Sequence, residues 1–131
     1  MRWLWQLIAP ATEFLGGRGE RIAAKWLRQR RFTILDRNVK LVDDEIDIIA
    51  RDPDGRTVGV VEVKTRGDDL ATPELAMTAT KQYRLTRMAS RLQQSDQYRD
   101  HPIRFDVIAV ILPADGEPVI RHIPGAFQSK W

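Results

Sequence analysis

The feature that most constrains the fold is an uninterrupted apolar run near the carboxyl end of the chain, Val107-Ile108-Ala109-Val110-Ile111-Leu112. Its side chains are apolar at both odd and even positions, which is typical of a central strand buried on both faces of a sheet. Helical and strand patterns precede and follow this run. We therefore predict an α/β or α+β fold, with layers around one mixed central sheet that is flanked by helices.

Two segments have helical periodicity. The first predicts a helix from Glu13 to about Gln29, and Gly16-Gly17 places its proper start near Arg18. The second predicts a long helix to about Gln94, opened by Thr72-Pro73-Glu74, because threonine caps a helix and proline suits its first turn.

Five segments have the composition of strands, so the predicted order is α-β-β-β-α-β-β. Asp52-Pro53-Asp54-Gly55 is a strong turn signal between the second and third strands, which predicts antiparallel pairing there. The predicted strands are Phe32–Val39, Glu45–Ala50, Thr57–Lys64, Ile103–Leu112 and Val119–Ile123.

The length of 131 residues fits one domain, which we place at residues 13–131 after an amphipathic extension over residues 1–12. The chain has no cysteine, which excludes disulfides, thiolate metal sites and cysteine nucleophiles. No stretch approaches the ~20 apolar residues that a membrane span needs. We expect a cytoplasmic protein without a membrane partner.

The net charge of +3 is unevenly distributed along the chain. Residues 1–42 carry nine Lys/Arg and three Asp/Glu, whereas residues 43–131 carry twelve and fifteen. Arginine supplies 16 of the 21 basic residues, and its planar guanidinium group matches phosphate oxygens. This pattern indicates a polyanionic partner.

The predicted third strand carries charges where apolar residues are expected. Glu62 and Lys64 are two residues apart and share one face of the strand, opposite Val61 and Val63. Charged side chains in the middle of a sheet are costly to bury without a partner. Lys64 could orient a water or neutralise a phosphate, since lysine is a compact cation.

The second strand has a similar pair of acids. Glu45 and Asp47 share a face opposite Ile46 and Ile48, and antiparallel pairing brings Asp47 close to Glu62. Two convergent carboxylates can hold Mg²⁺ or Mn²⁺, which prefer oxygen ligands. A Glu–Lys ion pair beside an exposed Asp is the alternative that the spacing alone leaves open.

The second predicted helix places a lysine in its apolar stripe. At 100° per residue, Lys81 lies close to Leu85 and Leu92, where it needs an anionic partner such as a carboxylate cluster or a phosphate. A lysine that extends from the helix end to solvent is the alternative. A basic flank lies beside the stripe and consists of Arg84, Arg87 and Arg91.

The first predicted helix offers one acid. Glu20 lies just past the edge of the apolar face and could reach a site at the rim of the sheet, although a solvated glutamate is the alternative. Gly19 beside it leaves room for a close approach of two backbones.

Taken in order, these residues resemble the YraN-like bacterial proteins, over roughly residues 16–110. That family is similar to the restriction-endonuclease-like PD-(D/E)xK nucleases and Holliday-junction resolvases, which have an αβββαβ core. The matching segments are Gly19-Glu20 with Ala23, Arg37-Asn38, Glu45-Ile46-Asp47-Ile48-Ile49-Ala50, Val61-Glu62-Val63-Lys64-Thr65-Arg66, Lys81 and Arg104-Phe105-Asp106.

The resemblance implies catalytic roles for five residues. Asp47, Glu62 and Lys64 would form the nuclease signature, with Asp47 and Glu62 as metal ligands. Glu20 would be an additional acid from the first helix and Lys81 a basic residue from the second. The chain departs from the family at Asp44, where glycine is usual, and Ile46 stands where the nuclease signature has proline, as is normal for this family.

The leading functional hypothesis is a nuclease dependent on Mg²⁺ or Mn²⁺ that acts on DNA, including branched or recombination intermediates. A resolvase needs a two-fold homodimer to act on two strands, and Trp3-Leu4-Trp5 is a candidate interface. The alternatives are a non-catalytic nucleic-acid-binding module and an adaptor in a repair complex. The candidate phosphate-binding residues are Arg18, Arg21, Arg66, Arg84, Arg87 and Arg91.

Overall fold

The structure is a computed structural model that describes residues 11–41, 44–67 and 77–128, and for residues 11–16 it describes the backbone alone. Residues 1–10 of the predicted extension therefore lie outside the described residues, and so does the candidate interface at residues 3–5. Among the described residues, no helix is both long enough and apolar enough to cross a membrane. The elements are α1 (Ala11–Gln29), β1 (Thr33–Leu41), β2 (Asp44–Arg51), β3 (Val58–Arg66), α2 (Ala79–Gln93), β4 (Ile103–Ile111) and β5 (Val119–Phe127).

The five strands form one mixed sheet in the order β1-β2-β3-β4-β5. Strands β1, β2 and β3 are antiparallel neighbours, β3 and β4 are parallel, and β5 runs antiparallel to β4. The parallel pair is connected through α2, since parallel strands need a crossover. The predicted α/β fold and element order are confirmed, and β4, which carries the long apolar run, lies inside the sheet between β3 and β5.

In the part of the chain that the structure describes, each face of the sheet is covered by one helix. Successive residues of β3 point to opposite faces. Val60 belongs to the core cluster that contains Leu85 and Met88 of α2, whereas Val61 belongs to the cluster that contains Leu27 of α1. The two helices therefore lie on opposite faces, and residues on α1 and α2 can meet only where the sheet is open.

Helix α1 begins earlier than the sequence predicts. It runs without a break through Gly16 and Gly17 from Ala11, so the predicted start near Arg18 is wrong. Glycine lowers helix propensity by about 1 kcal/mol relative to alanine. Packing overrides that local preference, because Ala23 and Leu27 of the same helix are fully buried against the sheet.

Helix α2 begins later than predicted. Met77 and Thr78 are not helical, and the Thr78 hydroxyl oxygen accepts a hydrogen bond from the Lys81 N–H at 3.1 Å. Thr78 is thus the N-cap that the sequence analysis assigned to Thr72. The segment Thr72-Pro73-Glu74 lies outside the described residues.

Strand β5 extends to Phe127, four residues beyond the predicted end at Ile123. The Phe127 ring stacks on Phe105 of β4 with centroids 4.5 Å apart, which holds the end of β5 to the sheet. The register between β4 and β5 shifts between Phe105 and Val107, and Gly125 opposite adopts a φ of 63°, which glycine tolerates at low cost.

Candidate functional site

The site lies where β2 and β3 separate. Their ladder runs from Arg51–Val58 to Ile48–Val61 and then stops. Beyond it, Asp47 Oδ2 accepts a hydrogen bond from the Val63 N–H at 2.8 Å. A carboxylate thus satisfies a backbone donor that a regular ladder would have paired with a carbonyl.

The opening also changes the alternation of β2. Ile46 packs in the core on the α2 side, whereas Ile48 packs in the core on the α1 side. Strict alternation would place both on one face. The prediction that Glu45 and Asp47 lie opposite both isoleucines is therefore right for Ile46 and wrong for Ile48, because the strand is irregular at Asp47.

Three acids from two elements meet at this opening. Carboxylate oxygens of Glu20 on α1 and of Glu45 and Asp47 on β2 all lie within 4.8 Å of one another. All three residues are half-buried. We call this set the acidic cluster. Its ligand atoms are close enough together to hold one cation, and all are the oxygen donors that Mg²⁺ and Mn²⁺ prefer.

A close approach of the Gly19 backbone to the Thr65 side chain brings Glu20 to the sheet. A Cβ atom built on Gly19 would collide with the Thr65 hydroxyl and lie 3.2 Å from Thr65 Cβ. Only glycine lets α1 approach β3 so closely. The predicted role of Gly19 is confirmed, and the same contact places Glu20, the next residue along the helix, at the opening.

Strand β1 supplies polar partners to two of the acids. The Asn38 amide, with its nitrogen toward the carboxylates, donates to Glu20 Oε2 at 2.7 Å and to Glu45 Oε1 at 3.2 Å. Asn38 has a φ of 53°, a left-handed conformation that asparagine adopts more readily than most residues. Arg37 Nη2 lies 4.0 Å from Glu20 Oε2. Asn38 therefore bridges the carboxylate of the helix and that of β2.

Burial and the negative charge of neighbouring acids disfavour the charged forms of Asp47 and Glu20. Burial, followed by the negative charge of Glu62, raises the pKa of Asp47 to about 8, although the hydrogen bond from Val63 acts in the opposite direction. Burial, followed by the charge of Glu45, also raises the pKa of Glu20. Without a cation, Asp47 and Glu20 hold protons at pH values where isolated carboxyl groups have lost them.

A second group of charges adjoins the acidic cluster. Glu62 Oε1 lies 3.5 Å from Lys81 Nζ of α2 and 3.9 Å from Lys64 Nζ of β3, and we call these residues the lysine–glutamate cluster. The predicted anionic partner of Lys81 is thus Glu62. The other oxygen of Glu62, Oε2, is buried without a hydrogen-bond partner in the described part of the chain. Native proteins rarely leave a buried carboxylate oxygen unsatisfied.

The predicted phosphate-binding arginines are divided between the two faces of the sheet. Arg18 and Arg21 are exposed on α1, and Arg66 of β3 is half-buried, with Nη1 donating to the Thr65 carbonyl at 3.0 Å. The other three lie on α2, as Arg84, Arg87 and Arg91. The structure does not gather the six residues into one patch.

Sequence reasoning left two residues of the site outside its candidate set. Glu45 was placed on the same face as Asp47 but given no ligand role, although its two-residue spacing carried that signal. Asn38 belonged to a matching segment without a role, and no local pattern predicts its left-handed conformation inside a strand.

Another polar network lies on β4 and has a structural role. Asp106 has a fully buried carboxylate that accepts two hydrogen bonds of 2.8 Å from Arg104, one of 2.9 Å from His122 and one of 3.1 Å from the Gly125 N–H. Burial alone would raise the pKa of Asp106, but these hydrogen bonds outweigh it, and the pKa is lowered. Arg104 also pairs with Asp52 at 2.9 Å, which ties β4 to the β2–β3 turn.

Comparison with known sequences places this chain in a wider group. Residues 19–110 match the sequence model of an uncharacterised protein family, UPF0102. A UPF0102 protein of Pelobacter propionicus is 40% identical over 123 residues, covering 93% of this chain and 88% of the relative. A UPF0102 protein of Geotalea daltonii is 44% identical over 118 residues, covering 89% and 91%, and one of Nocardia farcinica is 40% identical over 114 residues, covering 86% and 88%.

Proposed function

The chain belongs to the uncharacterised protein family UPF0102, the YraN-like family, and we propose that it is a divalent-metal-dependent nuclease that hydrolyses phosphodiester bonds in DNA. Branched DNA or recombination intermediates are the proposed substrates. The observation that carries this proposal is the meeting of Glu20, Glu45 and Asp47 at the opening between two strands, beside a buried glutamate and two lysines.

The side chains present fit a divalent cation. The acidic cluster offers three carboxylate oxygens, and no sulfur or imidazole donor belongs to it, which favours Mg²⁺ or Mn²⁺ over softer metals. Glu62 Oε2 adds a buried oxygen that has no hydrogen bond among the described residues. We propose that Asp47 and Glu62 hold the cation, as the sequence analysis infers, and that Glu20 and Glu45 join them.

When bound, the cation would polarise a phosphodiester and acidify a water molecule. The chain's own residues contribute charge and position. Lys64, whose side chain is 20% exposed, offers an ammonium group to the phosphate as negative charge develops on it. Lys81 of α2 neutralises the charge of Glu62 and fixes the orientation of its carboxylate. Asn38 holds Glu20 and Glu45 together.

The experiment that tests the proposal is a cleavage assay. The purified full chain is incubated with a four-way junction, a duplex and a single strand of DNA, each with Mg²⁺, with Mn²⁺ or with EDTA. We expect cleavage of at least one substrate that EDTA abolishes. Asp47→Asn and Glu62→Gln remove charge with little change of shape, and we expect each to lower the rate by about 100-fold or more.

The matched control is Asp115→Asn, which removes one carboxylate at an exposed position in the connection between β4 and β5. It should cleave like the wild type. Absence of cleavage with either metal on all three substrates would overturn the nuclease proposal. In that case, DNA binding by wild type and variants alike would indicate a binding module, and absence of binding would indicate an adaptor.

A further inference from the structure

Helix α2 has an exposed face with an unusual composition. The helix carries Lys81 and three arginines but no acidic residue, whereas solvated helices commonly mix both signs. Its exposed side chains include an aromatic residue among the arginines. We call this surface the tyrosine–arginine face, and it consists of Tyr83, Arg84, Arg87 and Arg91.

Tyr83 is the aromatic member of the face. Its exposed fraction is 53%, and in the described part of the chain Tyr83 and Val119 are the exposed large hydrophobic residues. Arg87 follows Tyr83 by four residues, so the two side chains are neighbours on the helix surface. Other residues of α2, among them Leu85 and Met88, pack in the core, so core packing does not explain why residue 83 is a tyrosine.

Asp44 positions two of the arginines, and the face as a whole keeps a net positive charge. Arg87 Nη2 donates to Asp44 Oδ2 at 3.0 Å, and Arg84 Nε lies 3.6 Å from Asp44 Oδ1. Both arginine side chains remain 55% exposed. One carboxylate faces two guanidinium groups, which leaves a net positive charge, and Arg91 adds another one turn further along.

We propose that the tyrosine–arginine face binds single-stranded DNA, with Tyr83 stacked on an unpaired base and the arginines on phosphates. Base–aromatic stacking together with a cationic track is how proteins bind single strands without reading sequence. A duplex offers phosphates but no free base face, so it gives Tyr83 nothing to stack on. The charge of the face and its single aromatic ring together favour this ligand.

The face is continuous with the site. Asp44, which holds two of its arginines, precedes Glu45 in β2, and Lys81 of the same helix pairs with Glu62 at 3.5 Å. The inference rests on the proposed function, because it names the form of DNA that the same site receives. A strand bound along α2 would enter the site from an unpaired region, such as that beside a branch point.

The test is fluorescence anisotropy with the full chain in EDTA, so that binding is measured without cleavage. The probes are a labelled single strand, the same strand with abasic positions, and the matching duplex. We expect Tyr83→Ala to weaken binding to the intact single strand by about 5- to 100-fold. Tyr83→Phe keeps the ring and should stay within about 3-fold of the wild type.

The abasic strand separates stacking from charge. It keeps the phosphates and lacks bases, so Tyr83→Ala should bind it, and the duplex, as the wild type does. Arg91→Ala should weaken all three probes and lower the slope of log affinity against log salt by about 1. Val119→Ala is the matched control for loss of an exposed apolar side chain and should change nothing.

Equal binding of the intact single strand by wild type and Tyr83→Ala would overturn the inference, as would equal losses on intact, abasic and duplex DNA. Binding to anionic phospholipid vesicles without binding to single strands would overturn it in favour of a membrane surface. The cleavage assay is separate. If Tyr83→Ala still cleaves DNA and binds the single strand as the wild type does, only this inference is overturned. If single-strand binding depends on the ring of Tyr83 but no DNA is cleaved with either metal, only the nuclease proposal is overturned.

Discussion

At the residue scale, the charged form of Asp47 is strongly disfavoured by its surroundings in the site. Burial is the largest cause of its raised pKa, and the negative charges of Glu62, Glu20 and Glu45 add to it. The backbone hydrogen bond that it accepts from Val63 lowers its pKa only in part. A cation at the acidic cluster would relieve this repulsion, because the charged form of Asp47 would then be the favoured one.

The raised pKa of Asp47 predicts that the stability of the metal-free protein depends on pH. The pKa of Asp47 is about 8 in the folded chain and near its ordinary value of 3.8 when unfolded, so the folded state binds an extra proton between those values. The unfolding free energy should therefore fall as pH rises from about 4 to 8, by at most about 1.4 kcal/mol per pH unit from this group. Asp47→Asn lacks that proton and should lack the part of the decline that Asp47 causes, whereas the part caused by the raised pKa of Glu20 remains.

Urea unfolding in EDTA at several pH values measures this effect. We expect Asp47→Asn to become the more stable protein by about 1–3 kcal/mol at pH 8, where leaving Asp47 charged is unfavourable. Asp115→Asn is the control and should follow the wild type. A stability difference between wild type and Asp47→Asn that stays constant from pH 5 to pH 8 would contradict the interpretation.

The sequence predicted the members of the site better than their arrangement. The two-residue spacing of Glu62 and Lys64 placed both on one face, and the helical position of Lys81 indicated an anionic partner without identifying it as Glu62. The break at Asp47 was not predictable, because it depends on β2 and β3 separating beyond Ile48. Strict alternation is a local rule, and the ladder that enforces it is a long-range interaction.

At the scale of the elements, the contact between α1 and β3 depends on one glycine. A side chain at Gly19 collides with Thr65, whereas a Cβ on Gly17 would meet Arg21 Nη1 at an ordinary 3.6 Å. The two glycines lie in the same helix, which makes them a matched pair. One is required by packing and the other is only tolerated.

The pair predicts opposite effects of the same substitution. Gly19→Ala should destabilise the fold by about 1–3 kcal/mol through overpacking. Gly17→Ala should stabilise it by up to about 1 kcal/mol, because alanine has the higher helix propensity. Thermal and urea unfolding measure both. Thr65→Ala removes the colliding atoms and should recover much of the loss in the Gly19→Ala background; equal effects of the two alanines would contradict the close approach.

Element boundaries show why the local signals were incomplete. Thr72-Pro73-Glu74 and Met77-Thr78 precede the same helix, and either could supply a cap, but the described helix uses Thr78. In α1 the glycine pair suggested an interruption that the packed helix does not have. Propensities of a fraction of a kcal/mol per residue decide such boundaries only where tertiary contacts do not.

At the scale of the whole molecule, the sheet separates two basic surfaces. Arg18 and Arg21 lie on α1, and Arg84, Arg87 and Arg91 lie on α2, on the opposite face. The sequence alone does not separate these two groups of arginines, because charge composition carries no information on which face of the sheet a helix covers. The acidic cluster lies where the sheet opens; α1 contributes Glu20 to it, and Lys81 of α2 pairs with the adjoining Glu62.

The apolar run in β4 sets this architecture. Because β4 is buried on both faces, a helix must cover each side of the sheet, and the parallel β3–β4 pair requires the crossover that α2 provides. That much of the fold was predictable from one segment. The opening between β2 and β3 was not, and the account of function depends on it.

The central claim is that the opening holds one divalent cation. Electron paramagnetic resonance tests it most directly, because free Mn²⁺ gives a six-line signal that diminishes when the ion is bound. Titration of the full chain should show one Mn²⁺ per chain, displaced by Mg²⁺, with binding weakened by about 10-fold or more in Asp47→Asn and unchanged in Asp115→Asn. Undiminished free Mn²⁺ signal in the presence of the wild type, or equal binding by wild type and Asp47→Asn, would contradict the claim.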